Sequence, residues 1–363
     1  MAILDSKSCQ HKAATAAFFI PVIGAFMDTL TIDKAMASNQ KHRAIKSISA
    51  SMWSECDRRM WLSLRRASPQ WVEPQTQRTF DIGHALEECI VKWLETAGVK
   101  IGMREAALKN SYGTSLGHID GIAVLPDGFQ LLEMKTANDS RFKAWLKTGV
   151  PDNYFAQVQL YMHHSAQLSA KGNHLTKALF VVINKNTSEL HTEEVHYEKP
   201  YAQLQTDRIE GLIASDAYPP PTTSYKCRFC QHQSVCEGKT LPEIDCRTCA
   251  NVSVNDGKFE CPYSSDGCET PCDKHIMHPQ LMEGMGFTMV NVDGSVPMVE
   301  YEHFCMAAPG ATHPTKPVFN SYEMKRSLDD DMLNDPTYMA IAKAFDAKPI
   351  DAPANGEEVE APF

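Results

Sequence analysis

The sequence predicts an α/β fold, a mixed sheet flanked by helices. Three observations carry this prediction. Over residues 79–97, Phe80, Leu86, Ile90, Val91 and Leu94 recur at helical spacing. Two strand-like runs, 119–124 and 129–134, flank the turn Pro126-Asp127-Gly128. The short apolar run 178–183 has the length and composition of a buried strand.

The other elements follow in chain order. Residues 1–45 read as a helical segment. Within it the apolar stretch 13–27 weakly mimics a signal peptide, but Pro21 interrupts it and no clear cleavage site follows. A packed or partner-binding helix is the expectation there. Residues 46–66 look like a helix start, with Ser47, Ser49 and Ser51, followed by a basic helix containing Cys56-Asp57-Arg58-Arg59. A strand-rich centre at 101–136 is followed by helix at 154–170 and 199–215, with an edge strand at 190–196. The predicted organisation is a core at 46–238, a small module at 239–308 and an acidic tail at 309–363.

Chemistry concentrates between residues 117 and 162. Asp120 sits in Gly117-His118-Ile119-Asp120-Gly121, and Glu133 follows in an apolar run with Lys135 two residues on. Residues i and i+2 of a strand share a face, so Glu133 and Lys135 point the same way. Two carboxylates meeting at one spot repel unless a cation lies between them. Hard oxygen ligands in an open site suit Mg²⁺ or Mn²⁺, which polarises a phosphate and activates a water. Lys135 would hold the nucleophile or offset charge in the transition state. Taken alone, Asp…Glu-x-Lys is equally compatible with an ordinary surface hairpin.

Gln157 and Tyr161 lie one helical turn apart and share a face. In this order, Asp120, Glu133-x-Lys135 and Gln157-x-x-x-Tyr161 resemble the PD-(D/E)xK nuclease superfamily. Upstream, Phe80-Asp81-Ile82-Gly83-His84-Ala85-Leu86-Glu87-Glu88 is similar to the helix-borne Gly-His motif of its RecB-like branch. The resemblance implies a restriction-endonuclease-like fold. It also implies that His84, Asp120 and Glu133 hold Mg²⁺ or Mn²⁺, that Lys135 positions or activates the attacking water, and that Gln157 and Tyr161 orient the substrate or the lysine. Glu87, one turn from His84, is a further candidate.

A net charge of −10 is unusual for a DNA enzyme, because phosphate binding rests on Lys and Arg. Part of it lies in the tail: from Gly310 onward ten acidic and five basic residues leave −5. Before the motifs, Lys41, Arg43, Lys46, Arg58, Arg59, Arg65 and Arg66 form a basic stretch with Trp53 and Trp61, and Trp71 lies just beyond. Aromatics among cations suit single-stranded nucleic acid; core positions on amphipathic helices are the other reading of these tryptophans.

Twelve cysteines fall largely into two groups. Their close pairing points to metal ligation in a reducing, cytoplasmic setting rather than to disulfides. No stretch is long and apolar enough to span a membrane. Cys227-x2-Cys230-x5-Cys236 leaves a four-coordinate site one ligand short. Cys56 can complete it, or His232 can complete a zinc knuckle. A Cys before the nuclease motifs with this group after them is similar to the iron–sulfur exonucleases associated with CRISPR adaptation and to cluster-bearing helicase–nuclease subunits. The resemblance spans about residues 46–238 and implies a [4Fe–4S] cluster on Cys56, Cys227, Cys230 and Cys236.

The second group is Cys246-x2-Cys249-x11-Cys261, then Cys268 and Cys272-x2-His275. It has the paired spacing of a structural Zn²⁺ site, with Cys246, Cys249, Cys261 and Cys272 as preferred ligands. His275 is an alternative ligand; Cys268 and His278 are weaker ones. Similar modules follow nuclease domains in bacteriophage proteins, which implies a phage origin. Cys9, Cys89 and Cys305 read as unpaired structural thiols.

The tail, with Asp329-Asp330-Asp331 and a helix-like stretch at 336–346, is expected to be largely disordered. Its end, Glu357-Glu358-Val359-Glu360-Ala361-Pro362-Phe363, is similar to the acidic tip of bacterial single-stranded-DNA-binding proteins. It would dock on a host or phage recombination or adaptation protein, or serve only as a solvated tail. The expectation is a metal-dependent deoxyribonuclease, exonucleolytic on single-stranded or frayed ends, in phage recombination, end processing or CRISPR-type adaptation. The alternative is a catalytically silent, nuclease-derived scaffold that binds DNA ends. A zinc-dependent transcription regulator would need a basic element near 246–278, and none is evident there.

Overall fold

The computed structural model describes residues 29–39, 46–53, 55–69, 72–263, 269–287, 289–293, 298–302 and 304–326. The apolar stretch 13–27, Cys9, Lys41, Arg43, Trp71, Cys268, the helix-like stretch 336–346 and the acidic tip lie outside them. The described residues 29–39 belong to a unit separate from the rest, in which α1 (Thr29–Ser38) buries none of its residues.

In the second unit, α2 (Asp57–Leu64) and the long α3 (Pro74–Thr96) lead into strands β1 (Lys100–Gly102), β2 (Ala107–Lys109), β3 (Ser115–His118), β4 (Gly121–Leu125) and β5 (Gly128–Ala137). Helices α4 (Asp139–Thr148) and α5 (Asp152–His164) precede β6 (Lys177–Asn184) and β7 (Leu190–His196), and α6 (Lys199–Ala214) follows. The main sheet has the order β1-β4-β5-β6-β7, with β5 and β6 parallel and every other pair antiparallel. This is the predicted mixed sheet. The expected hairpin is β4–β5, with Leu125 opposite Gly128 across the turn, and 190–196 is the edge strand.

Period-two alternation along β5 sorts its side chains between two layers. Leu132 and Met134 join Ile90 and Val91 of α3 on one face of the sheet. Leu131 and Ala137 face the other way, into a core with Phe142 and Trp145 of α4, Val158 and Tyr161 of α5 and Ile209 of α6. Glu133 and Lys135 share the parity of Leu131 and Ala137. The pairing partners of β5 are both internal strands, so a carboxylate at position 133 is buried whichever way it turns.

Helix α3 is buried only at Pro74, Ile90 and Val91. Its first half stands clear of the sheet, so Phe80, placed on the core face by periodicity, is 50% exposed. The helix outruns the sheet it packs on, which a periodic pattern alone cannot show.

After α6 come α7 (Gln233–Cys236), the hairpin β8 (Ser253–Asn255) and β9 (Lys258–Glu260), α8 (Pro279–Gly284), and a small sheet of β10 (Met289–Asp293), β11 (Met298–Tyr301), β12 (Cys305–Met306) and β13 (Val318–Phe319), closed by α9 (Ser321–Arg326). Strands β10 and β11 pair antiparallel. Order continues further than the predicted tail boundary: β13 pairs with β12, and Met324 of α9 is buried. The second core joins Trp61, Leu62 and Ala67 of the α2 region to Val235, Met277, Leu281, Val299, Tyr301 and Met324. Helix α2 is therefore sandwiched, with Met60 and Leu64 in the first core and Trp61 and Leu62 in the second.

That sandwich corrects the reading of the basic stretch as a nucleic-acid surface. Trp53 and Trp61 are each 1% exposed and belong to the cores. Arg65 and Arg66 are also buried: Arg65 pairs with Asp216 and donates to the Arg247 carbonyl at 2.8 Å, and Arg66 pairs with Asp245 and Glu269. Buried guanidinium groups require such partners, so these cations fasten the C-terminal module and are not free for phosphate.

Candidate active site

Asp120 occupies the bend between β3 and β4, and its Oδ2 accepts the backbone N–H of Met134 at 2.6 Å. The bond places the Asp120 carboxylate against β5 between Glu133 and Lys135. Glu133 is fully buried, and neither of its oxygens has a well-formed hydrogen bond; its contact is an ion pair with the Lys135 ammonium. Burial pushes the Glu133 carboxyl up to about 7, the lysine working against this and Asp120 adding to it. Asp120 is raised as well, by burial, against the pull of Lys135 and the Met134 N–H. Burial would lower Lys135, but Glu133 and Asp120 outweigh it and hold the ammonium charged.

On the facing helix, Gln157 Nε2 donates to the Tyr161 hydroxyl at 3.5 Å. Burial, then the Glu133 charge, raises the Tyr161 hydroxyl, so it stays protonated. The hydroxyl presses on Gly117, where an added Cβ would lie 2.5 Å from it. Gly117 also has φ +138°, so this position needs glycine twice over. Lys135 lies 5.4 Å from the Tyr154 ring centroid, and Tyr154 is three residues before Gln157 on α5. Tyr154 was missed in the sequence, although its spacing to Gln157 and Tyr161 follows one helical face.

Helix α3 contributes unevenly. Glu87 is half-buried; its carboxyl is raised by burial and by Asp120, with Lys135 and His84 opposing. His84 is exposed one turn away, within the field of Glu87. Glu105, in the β1–β2 loop at φ +56°, faces Asp120 and Glu87 electrostatically and carried no motif signal. As placed, no three His, Cys, Asp or Glu side chains among the described residues close to the spacing of one bound ion. The chemistry of the donors nonetheless fits a hard cation: two neighbouring carboxyls, Glu133 and Asp120, are both raised by burial and have one ammonium, Lys135, between them.

The first cysteine group lines a single cavity of about 970 Å³, which Cys56, Cys227, Cys230 and Cys236 share with Arg58 and Arg59. Cys56 caps α2, its Sγ accepting the Arg59 N–H at 3.3 Å. His232 is not available as a fourth ligand: its two ring nitrogens bond Ser63 Oγ at 2.8 Å and Ser68 Oγ at 2.9 Å in a fully buried pocket. In the second group, Cys246, Cys249 and Cys261 pack together, and Cys249 feels both Cys261 and Cys272. His275 Nε2 lies 2.8 Å from the Asp245 carbonyl while its buried Nδ1 has no hydrogen-bond partner, and His278 packs edge-on against Trp61. The histidine alternative is thus closed in the first group, where both nitrogens of His232 are engaged, and stays open at His275 in the second. Cys305 is fully buried and Cys89 half-buried, as expected of lone thiols.

Residues 34–167 match the family of the YqaJ-like viral recombinase domain. The matched segment holds Cys56 and every residue from His84 to Tyr161 discussed above, and ends before Cys227. With this recombinase-domain match the chain is an enzyme of the nuclease class, a hydrolase. Among solved structures it is similar to an alkaline exonuclease (LHK-Exo) from Laribacter hongkongensis at 15% identity and a TM-score of 0.37, covering 47% of this chain and 88% of that one. The complex of LHK-Exo with dAMP matches at 14% identity and 0.36, with the same coverage. No curated protein matches the chain. Among the described residues, no helix is long and apolar enough to cross a membrane.

Proposed function

We propose that the chain is a Mg²⁺- or Mn²⁺-dependent deoxyribonuclease, an exonuclease on single-stranded or frayed ends that works in phage-type recombination. The observation that carries this reading is a pair of carboxylates, Glu133 fully buried and Asp120 beside it, that share the single ammonium of Lys135. Two buried carboxylates against one ammonium leave a negative charge that a bound cation would offset. Asp120 and Glu133 would hold it, with Glu87 and His84 on the α3 side. When bound, such a cation supplies Lewis acidity to the scissile phosphate and the attacking water.

The remaining work falls to the protein. Lys135 stays an ammonium, so it cannot take a proton from water; it donates to the phosphate or the nucleophile and offsets charge in the transition state. The Tyr161 hydroxyl, protonated and held by Gln157, is a neutral donor that orients the same groups. The Asp120–Met134 bond fixes the ligand pair before substrate arrives.

The two cysteine groups have structural roles in this reading. Cys56, Cys227, Cys230 and Cys236 would hold a [4Fe–4S] cluster in the cavity they share, closing a loop around the whole catalytic core. Cys246, Cys249, Cys261 and Cys272 would hold Zn²⁺ and add its binding energy to the folding of this module. The test uses end-labelled single- and double-stranded DNA with Mn²⁺, wild type beside Lys135→Ala. Metal-dependent shortening by the wild type, reduced in turnover more than in binding by Lys135→Ala, is the expected result. Tight end binding without cleavage would select the silent scaffold instead.

A further inference from the structure

The aromatic residues that the basic stretch before the core would have offered to DNA are buried, yet two others stand out of the surface. Tyr225 is 71% and Phe229 77% exposed, the highest values among the exposed large hydrophobic side chains of the described residues. Both lie in one 3₁₀ turn of five residues, Tyr225-Lys226-Cys227-Arg228-Phe229. The turn is held in place: Ser224 Oγ accepts the Lys226 N–H at 3.2 Å, the Cys227 N–H donates to the Ser224 carbonyl at 3.0 Å, and the Cys230 N–H donates to the Cys227 carbonyl at 2.9 Å.

Two cations alternate with the rings. Neither Lys226 nor Arg228 forms an ion pair among the described residues, in contrast to Arg65 and Arg66, and the Arg228 guanidinium lies 5.9 Å from the Phe229 centroid. No acidic residue occurs between Pro219 and Val235; across the cavity Lys226 is in the field of Glu55, while Arg228 has no acidic partner among the described residues. The cavity bordered by Lys226 and Cys227 also reaches Asn153, one helical turn before Gln157 on α5. The turn and the start of α5 thus border one cavity.

We infer that the Tyr225–Phe229 turn is a contact for single-stranded DNA, in which the two rings stack on unpaired bases and Lys226 and Arg228 hold the flanking phosphates. Exposed rings between unpaired cations are the arrangement that binds single strands without reading sequence. A duplex keeps its base faces stacked on one another and offers the rings nothing. The inference rests on the nuclease reading and adds to it the form of the substrate.

The test is fluorescence anisotropy with a labelled oligothymidine and with a blunt duplex, using the full chain with Ca²⁺ in place of Mg²⁺ to prevent cleavage. Tyr225→Ala/Phe229→Ala should weaken single-strand binding about tenfold or more, and duplex binding by less than about threefold. Tyr225→Phe/Phe229→Tyr, which keeps both rings, should bind like the wild type. Lys226→Ala/Arg228→Ala should instead flatten the dependence of log affinity on log salt by about 1.4 on single strands, two phosphates at about 0.7 each. Melting temperature and iron content, measured on each variant, identify a folding defect. Unchanged single-strand affinity after loss of both rings, or equal loss on both DNAs, overturns the inference and assigns the turn to a protein partner. Failure of the wild type itself to bind or cut any DNA overturns the nuclease reading, a distinct outcome.

Discussion

The Asp120 carboxylate accepts the Met134 backbone N–H at 2.6 Å, so a loop residue is fixed to the strand that carries Glu133 and Lys135. Asp120→Asn keeps an oxygen to accept this bond and loses the charge. Cleavage should fall by at least about a hundredfold while the melting temperature moves little. A comparable fall in both would make Asp120 a structural residue.

The Glu133 carboxyl, pushed up to about 7 by burial, makes metal-free stability depend on pH. The folded protein holds this proton more tightly than the unfolded chain. The resulting stabilisation is fully present below the unfolded value, 4.5, and is lost as pH rises through about 7. A cation that replaces the proton restores stability only above that range. Saturating Mg²⁺ should therefore raise the melting temperature by roughly 5 °C at about pH 8 and much less at about pH 5.5. Equal shifts at both would remove Glu133 from the cation site.

Gly117→Ala should destabilise by about 1–3 kcal/mol, because the new Cβ meets the Tyr161 hydroxyl and the backbone lies at positive φ. Tyr161→Phe removes the nearest atom, so the double variant should lose less than the sum of the two single changes. Strict additivity by denaturant unfolding would show that the close approach carries no energy.

How far the sequence could be read depends on the range of the forces involved. Strand alternation and the turn at Pro126-Asp127-Gly128 are local, and they placed β4, β5 and the shared face of Glu133 and Lys135. The Gln157–Tyr161 pair was legible because one helical turn separates its members. Burial of Arg65, Arg66, Trp53 and Trp61 was not legible, because it depends on residues more than 150 positions away closing over α2, as in the Arg65–Asp216 and Arg66–Asp245 pairs. For the same reason His232 looked free to bind metal until Ser63 and Ser68 were seen to occupy both its nitrogens. The exposed Phe80 had a helical pattern behind it and no sheet beneath it.

Cys56→Ala and Cys230→Ala should each bleach the brown colour of anaerobically purified protein and lower its thermal stability, since both thiols line the same cavity. Opening a closure around the whole core should cost about as much as losing a disulfide, ~2–4 kcal/mol. His232→Ala should leave iron and sulfide content unchanged. Colourless wild-type protein with zinc and no sulfide would replace the cluster with zinc at the same cysteines.

The central claim is that Asp120, Glu133 and Lys135 form one cation-dependent cleavage centre. Its most direct test is single-turnover cleavage of end-labelled DNA by Asp120→Ala and Glu133→Ala, with DNA affinity measured in parallel. Both variants should bind DNA within about threefold of the wild type and retain less than about a hundredth of its cleavage rate in Mg²⁺ or Mn²⁺. Retention of more than about a tenth of the rate in both would contradict the assignment of the site.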